Sequence, residues 1–306
     1  MIVRHARALR WSSRFSAATA IAGLALLCAG CGVMEGPTLD PKGPIALSER
    51  NLLFKATAIM MIVIIPVFIM AAWFTIRYRG TNRKAKYTPN FDFYWPAEIV
   101  VWSVPAAIVI WLAFHLWEYT YKLDPYTQID PSVKPLQVQA IAQDWKWLFV
   151  YPEHDIAVVN ELAMPVDTPV SIEITSDTVM NSLVIPKLGG QIYAMAGMQT
   201  RLNLVADEKG TFWGRNVQYS GRGFADQQFQ THAMSKDDFD AWIEKVKQSN
   251  EALDAATYET LAKPSQKVPV TYYSPVEPNL FDCIIGKYSH GDADRMPPAR
   301  KAEATE

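Results

Sequence analysis

The sequence has little cysteine and little charge. Only three of its 306 residues are cysteines. Asp, Glu, Lys and Arg make up 20% of the residues, below the roughly 25% that is usual for soluble domains. So few cysteines argue against a small domain held together by several disulfides. The formal net charge is −2 and the basic residues form no stripe, which argues against a nucleic-acid-binding surface.

The N-terminus has the layout of an export signal. Four arginines up to Arg14 precede an apolar run that ends in Ala29-Gly30-Cys31, an order typical of a secretory signal cleaved after small residues. A cysteine at this point resembles a bacterial lipoprotein processing site. Residues 1–30 are therefore predicted to be a lipoprotein signal peptide, with Cys31 as the lipidated first residue. An ordinary signal peptide cut nearby, or a retained membrane helix, is the alternative.

Two apolar runs predict a transmembrane hairpin within residues 49–120. Residues 52–76 are apolar almost throughout, long enough for the ~20 residues that span a bilayer. The second run, residues 99–116, has Trp and Tyr at both ends, as at membrane interfaces. We expect helices at about 51–77 and 96–118, preceded by an external segment at 31–48.

The loop between the two runs sets their orientation. It contains five basic residues: Arg77, Arg79, Arg83, Lys84 and Lys86. Short basic loops stay in the cytoplasm. Both termini of this multi-pass chain are therefore predicted to lie on the external, periplasmic side.

The remaining sequence predicts an all-β domain followed by helices. Within residues 121–233, short apolar segments alternate with period two, as in Leu136, Val138 and Ala140, which favours a β-sandwich. Residues 234–290 read as a helical, aromatic-rich extension. Its first helix is predicted to begin after Ser235 and to have an apolar face. Asp254 is predicted to cap a second, short helix. The charged residues 291–306 are predicted to be disordered.

Two segments of the external domain resemble subunit II of the haem-copper respiratory oxidases. They are Val179-Met-Asn-Ser-Leu-Val-Ile-Pro-Lys-Leu-Gly and Gly210-Thr-Phe-Trp-Gly-Arg. In the cytochrome c oxidases of that family, a cupredoxin domain holds a dinuclear copper centre. Its ligands are a strand His and a loop of the form Cys-x-Glu-x-Cys-x-x-x-His-x-x-Met. Further matches are Leu39-Asp-Pro-Lys-Gly-Pro, the segment Ile192–Arg201, and the aromatic residues Tyr272, Tyr273 and Phe281.

The ligand positions of that pattern are all replaced in this sequence. These six ligand-equivalent positions hold Asn181, Asn216, Gln218, Ser220, Phe224 and Gln227. Copper favours thiolate, imidazole and thioether ligands, and none of the six residues supplies one. The pattern is similar to the branch of the family that lacks this copper, the bo-type quinol oxidases.

That resemblance implies a function for a whole complex. The complex would oxidise ubiquinol, reduce oxygen to water and pump protons across a bacterial inner membrane, with two haems and one copper in subunit I. This chain would hold no redox centre and would cap and stabilise subunit I, beside subunits III and IV and membrane lipids. It would not use cytochrome c. Trp145 and Trp147, which match an aromatic segment near the copper of the relatives, are read as packing residues.

Glu98 is a second candidate site. It lies at the cytoplasmic start of the second predicted helix, and ionisable residues inside membrane segments are functional candidates. In the family that it resembles, a Glu at the matching place lies at the mouth of a proton path into subunit I. The alternative is an interfacial Glu solvated by headgroups.

Two other functions remain open from the sequence. The first is a copper-bearing cytochrome c oxidase subunit, which the replaced ligands oppose. The second is a membrane lipoprotein whose sandwich binds a ligand or partner without any respiratory role.

Overall fold

A computed structural model describes residues 36–86, 88–89 and 91–288. The signal peptide, Cys31 and the charged tail lie outside the described residues. In the described part of the chain, two long helices come first: α1, Pro44–Arg77, and α2, Trp95–Lys122. Both are long and apolar enough to cross a membrane, as predicted, although α1 begins before residue 51 and α2 ends after residue 118.

The early start of α1 has a structural reason. Pro44 occupies the first helical position, where its fixed φ and missing N–H are tolerated. This first turn packs on the external domain: the Ala46 N–H donates to the Leu188 carbonyl at 3.3 Å, and the Gly190 N–H donates to Glu49 at 3.1 Å. The turn is therefore held by contacts with distant residues, which a hydropathy pattern does not contain.

Among the described residues, eleven strands form two sheets. In chain order they are β1 Leu136–Gln143, β2 Lys146–Tyr151, β3 Ile156–Val159, β4 Glu161–Pro165, β5 Val170–Ser176, β6 Asn181–Val184, β7 Gln191–Ala194, β8 Thr200–Leu204, β9 Gly210–Asn216, β10 Gln228–Met234 and β11 Thr271–Tyr273. One sheet has the order β11-β3-β2-β1-β5-β8 and the other β4-β10-β9-β6-β7. The predicted sandwich is confirmed.

The C-terminal extension contains three helices and also supplies a strand. The helices are α3 Lys236–Lys247, α4 Ala255–Leu261 and α5 Leu280–Tyr288. As predicted, Ser235 and Asp254 cap the first two, accepting from the N–H groups of Asp238 and Thr257. The extension is not wholly helical, because β11 pairs antiparallel with β3.

Two apolar cores hold these layers together. The main core lies between the sheets and includes the predicted face of α3, formed by Phe239, Trp242, Ile243 and Val246. A second core lies on the other side of the six-stranded sheet, where Ile141 and Leu148 pack with Leu253, Tyr258 and Phe281 of the extension. That sheet is therefore covered on both faces.

Candidate functional site

The strands bring four of the six ligand-equivalent positions together. Asn181 begins β6 and Asn216 ends β9, and these strands are antiparallel neighbours with Leu183 opposite Asn216. The loop after β9 turns back at a short 3₁₀ helix, Phe224–Asp226. This turn returns Gln227 to the end of β9, where its carbonyl accepts from the Asn216 N–H at 3.0 Å.

Asn216 is the centre of a buried hydrogen-bonded cluster. Its Nδ2 lies 2.7 Å from Asn181 Oδ1, 2.9 Å from Gln227 Oε1 and 3.2 Å from Ser220 Oγ. The Ser220 hydroxyl also donates to Gln227 Oε1 at 2.9 Å. Asn181, Asn216 and Gln227 are buried, and Ser220 is half-buried. We call these four residues the amide cluster.

The outer bonds of the amide cluster hold the backbone around it. Asn216 Oδ1 accepts from the N–H groups of Ser182 and Gln218, both at 2.9 Å. Asn181 Nδ2 donates to the Val179 carbonyl at 2.8 Å, and Gln227 Nε2 donates to the Gln143 carbonyl at 3.2 Å. Because a buried polar group without a partner is costly, these bonds stabilise the loop ends around the cluster.

The other two ligand-equivalent positions lie outside the cluster. The Gln218 side chain is half-buried, and only its backbone N–H joins the cluster's bonds. Phe224 packs its ring against Tyr219, with centroids 5.7 Å apart. Phenyl and amide groups at these places supply no soft metal ligand.

Trp145 and Trp147 contact different parts of the site. Trp145 has a φ of +65°, its indole N–H donates to the Ser220 carbonyl at 3.1 Å, and a Cβ added at Gly223 would lie 2.4 Å from its ring. It therefore covers the loop. Trp147 is fully buried and stacks on Phe149, with centroids 6.4 Å apart.

The side chains of this site are not the ligands that form the copper centre of the cytochrome c oxidases. The amide cluster offers three carboxamides and a hydroxyl, which already bond to one another. Among the described residues, no group of three or more His, Cys, Asp or Glu could hold a metal ion. The cluster can order the loop, and it has no soft ligand with which to bind copper.

Glu98 lies in the first turn of α2, where a carboxylate is favoured by the helix dipole. Its side chain is partly exposed, and Oε2 accepts from the indole N–H of Trp102 at 3.2 Å, one turn further along. The carboxylate is thus oriented by its bond to Trp102.

A second polar site lies beside the amide cluster, and sequence patterns did not predict it. The Asp177 side chain is only 1% exposed and accepts from the Tyr258 hydroxyl and Lys287 Nζ, both at 2.8 Å, and from the Tyr288 hydroxyl at 2.9 Å. We call this group the Asp177 latch. The bond to Asp177 raises the pKa of Lys287, while burial raises the pKa of Tyr288 and Tyr258. Its donors lie about 80 to 110 residues away in sequence, a separation that local patterns cannot show.

Comparison with known proteins defines the family. The model of the cytochrome c oxidase subunit II periplasmic domain matches residues 108–227, and the COX aromatic-rich motif matches residues 247–292. Cytochrome bo(3) ubiquinol oxidase subunit 2 of Pseudomonas putida is 48% identical, covering 86% of this chain and 83% of that protein.

Two further relatives agree with this match. The protein of the same description from Pseudomonas aeruginosa is 49% identical, covering 88% of this chain and 81% of its own length. Ubiquinol oxidase subunit 2 of Acetobacter aceti is 48% identical, covering 87% of this chain and 86% of that protein. With its two membrane-capable helices, cupredoxin-like sandwich and aromatic-rich extension, the chain belongs to the ubiquinol oxidase subunit 2 family.

Proposed function

We propose that this chain is subunit II of a bo-type complex that oxidises ubiquinol, reduces oxygen to water and pumps protons. The observation that supports this most directly is the amide cluster. Residues at four copper-ligand positions bond to one another and to the backbone. The domain has kept the frame of an electron relay and replaced the relay with structural hydrogen bonds.

The nature of the electron donor explains this replacement. An oxidase that accepts electrons from a water-soluble protein needs a redox centre in its external domain. Ubiquinol is soluble in lipid and delivers electrons within the membrane. The external domain then has no donor to serve, and its remaining role in this proposal is to cap and stabilise subunit I.

The partners, cofactors and location follow from this assignment. Subunit I would hold two haems and one copper and would contact this chain, with subunits III and IV in the same complex. The complex would lie in the bacterial inner membrane, with the sandwich in the periplasm and a lipid on Cys31. The exposed apolar side chains along α1 and α2 offer surfaces for another membrane subunit and for lipid.

Donor preference tests the assignment. A complex purified through a tag on this chain should contain haem and should oxidise ubiquinol, with no turnover on reduced cytochrome c. Turnover on cytochrome c would favour the copper-bearing alternative. A chain that purifies without any haem-bearing partner would favour the free lipoprotein.

We further propose that Glu98 collects protons at the cytoplasmic surface for subunit I. Glu98 lies in the first turn of α2 and is partly exposed, so its carboxylate is reachable from water. Glu98→Gln keeps the size of the side chain and removes its charge. We expect turnover to fall by about tenfold or more, which corresponds to roughly 1.4 kcal/mol of barrier.

The control for this variant is Glu118→Gln. Glu118 lies at the other end of α2, 3.9 Å from His115, and its substitution should leave turnover unchanged. Equal turnover and pumping in Glu98→Gln and the parent complex would support the interfacial, headgroup-solvated alternative.

A further inference from the structure

A cavity lies where the two membrane helices meet the external domain. It measures about 250 Å³ and is bounded by the first turns of α1 and by the end of α2 with the loop that follows. Its walls include the apolar side chains of Ile45 and Leu123 and the charged side chains of Lys122 and Asp124. It therefore has both apolar and charged parts.

The cavity is at the outer boundary of the membrane. α2 ends at Lys122, and its last turns contain the exposed rings of Trp117 and Tyr121. Aromatic side chains at the end of a membrane helix mark the level of the lipid headgroups. The polar part of the cavity is thus at the depth of the headgroups of the external leaflet.

Lys122 supplies positive charge at the cavity, and a second lysine, Lys55, lies near the same tyrosine ring. Lys122 Nζ lies 5.6 Å from the centroid of the Tyr119 ring, and Lys55 Nζ lies 5.5 Å from the same centroid. Lys55 Nζ donates to the Tyr119 hydroxyl at 3.0 Å. Within the described part of the chain, Lys122 forms no ion pair. Two ammonium groups beside one ring favour a nearby anion, since neither is neutralised by a bonded carboxylate.

Asp124 supplies negative charge two residues after Lys122. Its Oδ1 accepts from the Tyr126 N–H at 2.9 Å, which fixes the carboxylate in a tight turn. Across the residues that the structure describes, Oδ2 has no hydrogen-bond partner. The cavity is therefore lined by both an ammonium and a partly free carboxylate, a pattern complementary to a zwitterion with separated charges.

We propose that this cavity binds the headgroup of an aminophospholipid of the external leaflet. The lipid phosphate would lie by Lys122, with Lys55 adding to the field, and its ammonium would lie by Asp124. The acyl chains would run along the exposed apolar surface of the helices. Phosphatidylethanolamine has this charge pattern and three N–H donors. Phosphatidylglycerol lacks the cation, and phosphatidylcholine lacks the N–H donors.

Lipid retention tests the proposal independently of oxidase turnover. The complex, or the full-length chain, is placed in nanodiscs of equal parts phosphatidylethanolamine, phosphatidylglycerol and phosphatidylcholine, and the lipids that remain bound are counted by native mass spectrometry. The variants are Lys122→Gln and Asp124→Asn. Lys209→Gln, an exposed lysine of the sandwich, is the matched control.

We expect the parent chain and the Lys209→Gln control to retain phosphatidylethanolamine several-fold above its share. Lys122→Gln should lose retention of both phosphatidylethanolamine and phosphatidylglycerol. Asp124→Asn should still retain phospholipid without preferring ethanolamine over glycerol. Three results would overturn the proposal: no headgroup preference in the parent chain, unchanged preference in both variants, or displacement of the lipid by millimolar inorganic phosphate.

Discussion

At the scale of single residues, Asn216 holds together a buried network of hydrogen bonds at the end of β9. A carboxamide has an acceptor and two donor hydrogens, and this one bonds both across the strand pair and along the loop. The burial of this carboxamide is tolerated because its polar atoms find hydrogen-bond partners.

Asn216→Ala should destabilise the external domain by about 2–4 kcal/mol, because it leaves the Ser182 N–H and the Asn181 and Gln227 oxygens without this partner. The measurement is unfolding of the external domain in the purified complex, followed by near-ultraviolet circular dichroism. Gln218→Ala is the control. Its side chain is half-buried and outside the cluster, so its effect should stay below about 0.5 kcal/mol. Equal effects of the two substitutions would argue against the cluster.

Gly223 provides a second test at this scale. A Cβ there would lie 2.4 Å from the Trp145 ring, so Gly223→Ala should displace the indole from the loop and cost about 1–3 kcal/mol through overpacking. The displaced ring would meet water, and tryptophan emission should shift to the red. Gly80→Ala, where no atom lies within 4 Å of the added carbon, should leave emission unchanged. An unshifted spectrum in Gly223→Ala would contradict the covering role of Trp145.

At the scale of elements, the extension forms a third layer, and the Asp177 latch joins its last helix to the sandwich. Lys287 and Tyr288 end α5, and Asp177 lies in the connection between β5 and β6, four residues before Asn181. Tyr288 also packs on Gly197, where an added Cβ would lie 3.1 Å from the Tyr288 Cβ. The aromatic-rich segment thereby holds two loops at the end of the sandwich that contains the amide cluster.

The latch predicts a loss of stability at alkaline pH. The pKa values of Lys287, Tyr258 and Tyr288 are raised in the folded chain, so the folded state keeps protons that the unfolded state loses near pH 10. The latch contributes fully to the free energy of unfolding below that pH. Its contribution declines as the pH rises through the pKa values that these groups have in the folded chain. Unfolding measured from pH 8 to 11 should show this decline. Asp177→Asn should lower stability at pH 8 and make the alkaline decline shallower, whereas the same profile in both proteins would contradict the latch.

Local pattern predicted some elements well and could not predict others. The caps at Ser235 and Asp254 and the apolar face of α3 depend on neighbouring residues, and the structure confirms them. The alternation of apolar and polar residues identified β1, because the first half of this strand is fully buried on one face only. β2 is buried throughout since the extension covers its other side, so its pattern has no alternation. Its buried Lys146 donates to the Lys263 carbonyl at 2.9 Å, a partner that only the folded chain provides.

At the scale of the whole molecule, contacts at the start of α1 and after the end of α2 join the transmembrane hairpin to the sandwich. A Cβ at Gly43 would lie 2.4 Å from the Val205 carbonyl oxygen, and one at Gly189 would lie 2.6 Å from the Ala46 nitrogen. At the end of α2, Asn203 Nδ2 donates to the Pro125 carbonyl at 3.0 Å. The external domain is therefore packed onto its membrane anchor, as suits a subunit that caps a partner.

The six ligand-equivalent positions were predicted from the sequence alone, by aligning the segments that flank them. The sequence could not show that four of these positions bond to one another, which depends on the return of the loop at Phe224–Asp226. The Asp177 latch and the cavity at the membrane boundary also required the folded chain, since each combines residues from distant segments.

The number of copper atoms per complex tests the central claim most directly. The complex is purified through this chain, and its haem and copper are quantified together by pyridine haemochrome spectra and mass spectrometry of the metals. We expect two haems and one copper, with no copper bound to this chain. Two additional copper atoms per complex, or copper in the external domain after release from the membrane, would show that the ligand-equivalent positions still form an electron relay.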